Sequence, residues 1–211
     1  MKLILFDLDG TLIRSTGIIL EVFKMAFDRY FPDVELSEDT LTSFLGTTLW
    51  QTFGMYTDDE DLIEEIITYY RLSSEALMEK ELEAYPHAHE TIKFLKHHGC
   101  KVGVVTSKLN RVASHHLDIT QLSELIDDMI GYDDVTEHKP NPAPLLKALE
   151  RFGIEAKDAI YIGDHENDIK AAKRAGMSSC AVTYSYRLKQ MLNEFPDFVI
   201  DDISNLKDII D

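Results

Sequence analysis

Residues 2–12, KLILFDLDGTL, decide the fold, because a short apolar run ends there in two aspartates and a glycine. An unbroken apolar run of this length indicates a strand buried on both faces, as in a parallel sheet. Polar residues that follow such a strand lie at its carboxyl end, where open α/β sheets form their sites. Asp7 and Asp9 are therefore the first candidate functional residues.

Further apolar segments alternate with amphipathic helical segments from about residue 85 onward. Strands are predicted over 101–106, 129–132, 159–163, 179–183 and 198–200. Helices are predicted over 87–98, 110–117, 142–152 and 167–175, with Asn110 as the cap of the second. This alternation predicts an α/β fold, with a Rossmann-like parallel-sheet core that carries helices on both faces.

The stretch from 15 to 84 breaks the alternation. It is predicted to be an inserted, all-helical cap domain, which leaves residues 1–14 and 85–211 as the α/β catalytic core. An aromatic and aliphatic stripe over 16–31 has helical spacing and is expected to pack the insert. A second long helix is predicted after Thr57 and Glu60, which have the spacing of a capping box.

Four polar motifs each follow a predicted strand. They are Asp7-Leu8-Asp9-Gly10-Thr11, Thr106-Ser107, Lys139-Pro140-Asn141-Pro142 and Gly163-Asp164-His165-Glu166-Asn167-Asp168. In a parallel sheet these motifs converge in one crevice. Several carboxylates in a small space repel one another unless a cation lies between them, and hard oxygen ligands favour Mg²⁺. Together with a lysine and a threonine hydroxyl, such a site suits a phosphoryl group.

The motifs DLDGTL, VVTS, KPNP and GDHEND, in this order, resemble the haloacid dehalogenase superfamily, specifically its phosphoglycolate phosphatase-like group with a helical cap. The resemblance covers essentially the whole chain. It implies that Asp7 is the nucleophile and that Asp9 is the general acid and base. It also implies that Mg²⁺ is held by the Asp7 carboxylate, the Asp9 backbone carbonyl and the Asp164 carboxylate.

The same resemblance implies roles for the other motif residues. Thr106 would bind a phosphate oxygen, with help from the Ser107 backbone N–H. Lys139 would offset the negative charge of Asp7 and of the phosphoryl group, and Asp168 would orient Lys139 or a metal-bound water. Dehalogenases of the superfamily lack an acid at the position of Asp9, so dehalogenation is not expected.

The expected function is a Mg²⁺-dependent phosphatase that hydrolyses a small phosphorylated metabolite, such as a phosphoglycolate-like monoester, through an aspartyl-phosphate. The cap is expected to exclude water and to contact the leaving group. Inorganic pyrophosphatase and phosphomutase of the same superfamily are alternatives, and a phospho-aspartate receiver or binding protein is an alternative of another class. The substrate and the roles of Arg14, Trp50, His138 and His165 are left open.

The net charge of the chain limits which binding partners are expected. The 211 residues carry a formal net charge of −17, and residues 15–84 alone hold 16 acidic and 4 basic side chains. Nucleic acids and anionic membranes attract clustered positive charge, so neither is an expected partner. An acidic cap also disfavours large polyanionic leaving groups.

The remaining expectations concern compartment and side-chain burial. No apolar stretch has the length of a signal peptide core or a membrane span, so a cytoplasmic protein, monomeric or homodimeric, is expected. Cys100 and Cys180 are predicted to be buried thiols, because their spacing fits no metal site or disulfide framework. The histidine pairs at 97–98 and 115–116 are predicted to be exposed on helices.

Overall fold

Six parallel strands form one sheet in the computed structural model of this chain, which describes residues 1–210. The strands are β1 (Leu3–Phe6), β2 (Lys101–Val105), β3 (Asp128–Ile130), β4 (Ala159–Gly163), β5 (Ser178–Val182) and β6 (Phe198–Ile200). Their order across the sheet is β3-β2-β1-β4-β5-β6. β1 therefore lies between two strands from much later in the chain, at the point where the order reverses direction and where α/β sheets place their sites.

The described residues also form ten α-helices. They are α1 (Thr16–Tyr30), α2 (Glu38–Ser43), α3 (Leu49–Gly54), α4 (Glu60–Glu81), α5 (Ala88–His97), α6 (Asn110–Ile119), α7 (Ala143–Phe152), α8 (Glu166–Ala175), α9 (Leu188–Leu192) and α10 (Leu206–Ile210). Short 3₁₀ helices span Ser123–Leu125, Tyr132–Asp134, Ala156–Asp158 and Ile203–Asn205. The predicted α/β fold with a parallel sheet is confirmed.

Helices cover both faces of the sheet. Every residue of β1 is fully buried, although successive side chains of a strand point to opposite faces. Leu3 and Leu5 pack in one apolar cluster with Leu145 of α7 and Ala171 of α8. Since Ile4 and Phe6 point the other way and are equally buried, the opposite face is covered too. This burial explains why residues 3–6 are apolar without alternation.

The chain divides into two units, one formed by Met1–Arg14 and the chain from Glu83 onward, the other by Ser15–Leu82. The second unit consists of α1 to α4 and their connections. Its core is aromatic: the Phe23 ring lies 5.2 Å from Phe44 and 4.7 Å from Tyr70, and the Phe27 ring lies 5.5 Å from Phe44. The aromatic stripe of α1 therefore packs the unit, as its spacing predicts.

Two predicted helix caps are wrong. α4 begins with Asp59 as its N-cap, whose carboxylate accepts a hydrogen bond from the Leu62 N–H at 3.1 Å. The Thr57 hydroxyl accepts instead from the Asp59 N–H, so Thr57 does not form a capping box. α6 has Leu109 at the cap position, and the side chain of Asn110 donates to Asp134 Oδ2 at 2.8 Å.

Other expectations can be compared directly with the structure. Cys100 and Cys180 are buried free thiols, as predicted. None of the helices within residues 1–210 has the length and apolar character needed to cross a bilayer. His115 is exposed as predicted, but His116 is buried, so the prediction is wrong for the second member of this pair.

Candidate active site

Lys139 lies at the centre of a buried polar cluster at the carboxyl end of the sheet. Its ammonium donates hydrogen bonds to Asp7 Oδ1 at 2.9 Å, to Asp168 Oδ1 at 2.7 Å and to the Tyr161 hydroxyl at 2.9 Å. An ammonium has three donors and no acceptor, so these contacts satisfy the lysine completely. Residues 7, 139, 161 and 168, which are far apart in sequence, therefore meet at one point.

Local structure explains how these side chains converge. Asp7 directly follows the central strand β1, and its N–H continues the sheet by donating to the Ile162 carbonyl at 2.8 Å. Lys139 lies in the connection between β3 and α7, and Asp168 lies in the first turn of α8, just after β4. The site thus forms where the carboxyl ends of β1 and β4 meet.

Asp168 is held from two sides. Its Oδ1 accepts from Lys139, and its Oδ2 accepts from the His165 N–H at 3.0 Å at the beginning of α8. The residue is only 1% exposed, so its carboxylate has no freedom to turn toward solvent. Asp168 therefore fixes the ammonium of Lys139 in place.

The charged groups of the cluster shift one another's pKa values. Burial raises the pKa of Asp7 to about 7; Lys139 opposes this rise, while the carboxylates of Asp168 and Asp9 add to it. Burial also acts to lower the pKa of Lys139, but Asp168 and Asp7 outweigh it and hold that pKa well above its ordinary value. Lys139 is therefore a permanent cation beside Asp7.

Asp164 is the least compensated acid of the cluster. Burial, together with repulsion from Asp7 and Asp168, raises the pKa of the Asp164 carboxyl well above its ordinary range. Among residues 1–210, no group donates a hydrogen bond to its carboxylate, although Ser185 donates to its backbone carbonyl.

The donor set fits a hard divalent cation. Carboxylate oxygens of Asp7, Asp164 and Asp168 lie within 4.8 Å of one another. Both oxygens of Asp168 accept hydrogen bonds, whereas Asp7 accepts one from Lys139 through Oδ1, so Asp7 and Asp164 are the acids that could more readily offer oxygens to a metal. Oxygen ligands of this kind suit Mg²⁺, whose charge would offset two buried acids that repel each other.

Asp9 faces a second lysine, which the sequence analysis missed. Lys108 Nζ donates to Asp9 Oδ1 at 2.8 Å and lies 3.0 Å from Nδ1 of the buried His116. A tight turn places Asp9: Gly10 has a φ of 72°, which L side chains rarely adopt, and its N–H donates to the Ile13 carbonyl. The structure thus brings Asp9 near Asp7 but pairs it with a different cation.

The predicted phosphate contacts, Thr106 and Ser107, lie directly after β2. Thr106 is buried, and its hydroxyl accepts from the Lys108 N–H at 3.2 Å. Its own N–H donates to the Ile130 carbonyl, which anchors the end of the strand. Ser107 is exposed.

Tyr161 is the other site residue that the sequence analysis missed. It is fully buried in β4, donates to the Val105 carbonyl at 2.7 Å and accepts from Lys139. A tyrosine within a buried aliphatic strand needs a partner for its hydroxyl, and this requirement was the available signal.

The structure also places the residues whose roles were left open. His165 caps α8, since its Nδ1 accepts from the Asn167 N–H, and burial lowers its pKa. His138 stacks on Tyr132 with ring centroids 3.8 Å apart. Arg14 is exposed and pairs with Glu83, and Trp50 is 44% exposed rather than part of an apolar core.

A loop after β5 supports the segment that bears Asp164. The Ser185 hydroxyl donates to the Asp164 carbonyl, and the Ser185 oxygen also accepts from the Arg187 N–H at 2.8 Å. Arg187 pairs through two nitrogens with both oxygens of Glu166, the first residue of α8. Such two-pronged pairs fix geometry as well as charge, so this loop holds the segment from two sides.

The chain is similar to known proteins over nearly its whole length. A family model described as haloacid dehalogenase-like hydrolase matches residues 4–182. A protein named Pyrophosphatase PpaX from Bacillus cereus (strain B4264) is 36% identical over 208 residues, which is 98% of this chain and 95% of that relative. A protein of the same name from Bacillus thuringiensis (strain Al Hakam) has the same identity and coverage.

Solved structures show the same architecture. A crystal structure described as a "predicted phosphoglycolate phosphatase" from Haemophilus somnus 129pt superposes with a TM-score of 0.88 at 26% identity. The match covers 100% of this chain and 98% of that chain, so both of the units described above have counterparts in it.

Proposed function

Because this chain belongs to the haloacid dehalogenase-like hydrolase family, we propose that it is a Mg²⁺-dependent phosphohydrolase whose nucleophile is Asp7. The observation that carries this proposal is the contact of Lys139 with Asp7, at the carboxyl end of the central strand. A carboxylate that attacks a phosphate anion must be held beside positive charge, and Lys139 supplies it permanently.

The residues divide the reaction between them. A carboxylate oxygen of Asp7 attacks phosphorus while the bond from phosphorus to the leaving oxygen breaks. Asp9 gives its proton to that oxygen, and in the second half it removes a proton from the water that hydrolyses the aspartyl-phosphate. Inorganic phosphate is released, and Asp7 and Asp9 return to their starting states.

Other residues hold the transferred group. The Thr106 hydroxyl and the Ser107 N–H would donate to phosphoryl oxygens, while Lys139 balances their charge. Mg²⁺, held by the carboxylates of Asp7 and Asp164 and the backbone carbonyl of Asp9, would supply further neutralisation of the phosphoryl oxygens.

The substrate class proposed first is a small phosphate monoester, in keeping with the description of the H. somnus structure as a phosphoglycolate phosphatase. Residues 1–14 and 85–211 would carry the catalysis, and the insert of 15–84 would select the leaving group. The excess of acidic side chains in the insert disfavours large polyanionic leaving groups such as nucleoside diphosphates.

Inorganic pyrophosphate is a second candidate substrate. It is favoured by the name Pyrophosphatase of relatives that are 36% identical over 98% of the chain. Pyrophosphate offers the same phosphoryl group to Asp7 with inorganic phosphate as the leaving group, so the proposed chemistry serves both candidates.

The test is phosphate release by the wild-type protein and by Asp7→Asn, with MgCl₂ and a panel of phosphoglycolate, pyrophosphate, hexose phosphates and nucleoside triphosphates. Asp7→Asn should retain no more than a few per cent of the rate, because hydrolysis of phosphate esters depends wholly on the catalyst. Unchanged turnover in Asp7→Asn would refute the proposal. The ratios of kcat/KM decide between monoesters and pyrophosphate, and transfer of phosphate to sugars without release would indicate a mutase.

A further inference from the structure

Lys108 stands in the same relation to Asp9 as Lys139 does to Asp7. Its ammonium donates to Asp9 Oδ1 at 2.8 Å, and both side chains are largely shielded from solvent, at 16% and 23% exposure. The site therefore contains two separate lysine–aspartate pairs.

The backbone of Lys108 is fixed on both sides. Its N–H donates to the Thr106 hydroxyl at 3.2 Å, and its carbonyl accepts from the Tyr132 N–H at 2.8 Å. The side chain of Lys108 therefore projects from a well-defined turn after β2, which limits the directions it can take.

The Lys108 ammonium also contacts His116. Nδ1 of His116 lies 3.0 Å from Lys108 Nζ, and since an ammonium only donates, this ring nitrogen is the acceptor. His116 lies on the buried face of α6 beside Ala113 and Leu117, so the acceptor is mounted on a rigid element. A histidine on one side and an aspartate on the other thereby fix Lys108 Nζ.

We propose that Lys108 is a positioning residue that holds the Asp9 carboxylate for proton transfer, and that His116 positions Lys108. This inference rests on the proposed role of Asp9 as acid and base. Without the contact, the Asp9 side chain gains rotational freedom about bonds that the Lys108 pair now restricts. A general acid must lie within hydrogen-bond reach of the leaving oxygen, so such freedom slows the chemical step.

A double-mutant cycle with Lys108→Met and Asp9→Asn tests the inference. Methionine has about the same length as lysine without its charge. Lys108→Met should lower kcat by up to about 100-fold, the loss that a misplacement of about 1 Å can cause. KM should stay nearly unchanged, and Lys108→Arg should recover part of the loss. In the Asp9→Asn protein the same change should have little further effect, because it acts through Asp9.

The cycle is measured as steady-state release of inorganic phosphate from phosphoglycolate, because its alkoxide leaving group needs a proton and the same data give both kcat and KM. Lys93→Met, on the exposed face of α5, is the matched control and should leave the rate unchanged. Thermal denaturation of every variant separates loss of folding from loss of positioning.

His116 provides a second, independent pair of variants. His116→Leu removes the acceptor and should give a smaller loss of kcat in the same direction. His116→Asn keeps an acceptor oxygen near the position of Nδ1 and should recover most of that loss. If His116 were purely structural, the loss of kcat in each variant would instead follow its loss of thermal stability.

The possible failures are distinguishable. If Asp9→Asn is fully active, the proposed role of Asp9 fails and the inference fails with it. If Asp9→Asn is impaired but Lys108→Met lowers the rate by the same factor in both backgrounds, or raises KM with kcat unchanged, Lys108 contacts the substrate directly. Either of the latter outcomes overturns the positioning role alone.

Discussion

Lys139 donates a hydrogen bond of 2.7 Å to Asp168 Oδ1, and neither side chain is more than 6% exposed. Loss of the Asp168 charge would leave this buried ammonium with Asp7 as its remaining carboxylate partner, and weakening a buried ion pair in this way is costly. We expect Asp168→Asn to lower the free energy of unfolding by about 3 kcal/mol, measured by urea denaturation. Asp118→Asn, on the exposed side of α6, is the control. Equal stability of the two variants would show that Asp7 and Tyr161 suffice for Lys139.

The close approach of Gly163 to Asp168 leads to a second prediction. A Cβ at residue 163 would collide with the side chain of Asp168, so Gly163→Ala should displace that carboxylate from Lys139. We expect a loss of about 1–3 kcal/mol in unfolding free energy and a parallel loss of kcat. Gly17→Ala is the matched control, because a Cβ there meets nothing within 4 Å and lies in a helix. It should be neutral or slightly stabilising, and similar behaviour of both variants would contradict the argument.

Metal addition should stabilise the wild-type protein through Asp164. At a Mg²⁺ concentration of 100 times Kd, binding adds about 2.7 kcal/mol to the free energy of unfolding. Asp164→Asn should lose most of this gain, while Asp201→Asn, an exposed acid, should keep it. Thermal denaturation with MgCl₂, against NaCl of equal ionic strength, is the measurement. A full Mg²⁺ response in Asp164→Asn would remove Asp164 from the ligand set.

Asp134 should give a pH-dependent contribution to stability. Burial acts to raise the pKa of Asp134, but hydrogen bonds from the Gly131 N–H and Asn110 and the charge of Arg151 outweigh it and lower that pKa. The folded protein therefore favours the ionised form, which stabilises the fold above the unfolded pKa of about 3.9. This contribution is lost as pH falls through the lower, folded value.

Asp134→Asn tests this dependence by urea denaturation at several pH values. The variant should lose about 1–3 kcal/mol at pH 7, and its difference from wild type should shrink below about pH 4. A difference that stays constant with pH would mean that the ionised carboxylate does not stabilise the fold.

The sequence specifies the sheet and the placement of Asp7 well, because four apolar strands are each followed by a polar motif at or before the start of the next α-helix. The strand predicted over 159–163 coincides with β4, and the convergence of Asp7, Lys139 and Asp168 follows from parallel topology. Helix beginnings were less predictable. Several acids and hydroxyls near residue 59 compete for the same N–H groups, and Asp59 prevails over Thr57.

Side-chain direction in turns and on helices limited the prediction of the site. Lys108 directly follows Thr106-Ser107, but whether it points toward Asp9 depends on the turn, which periodicity does not describe. His116 could have been predicted as buried, because it lies three residues after Ala113 and one before Leu117 on the same face of α6. The helical spacing therefore separates the pair at 115–116, with His115 on the exposed side and His116 on the buried side.

The central place of β1 also bears on how the protein folds during synthesis. Leu3–Phe6 is synthesised well before one of its two sheet neighbours, Ala159–Gly163, which lies more than 150 residues later in the chain. Contacts between such distant segments form slowly, and until then an apolar strand with two unpaired edges is open to aggregation. Shielding of this segment during synthesis would therefore limit aggregation. A nascent chain that stops before residue 159 would lack both a complete sheet and the Asp164 and Asp168 carboxylates.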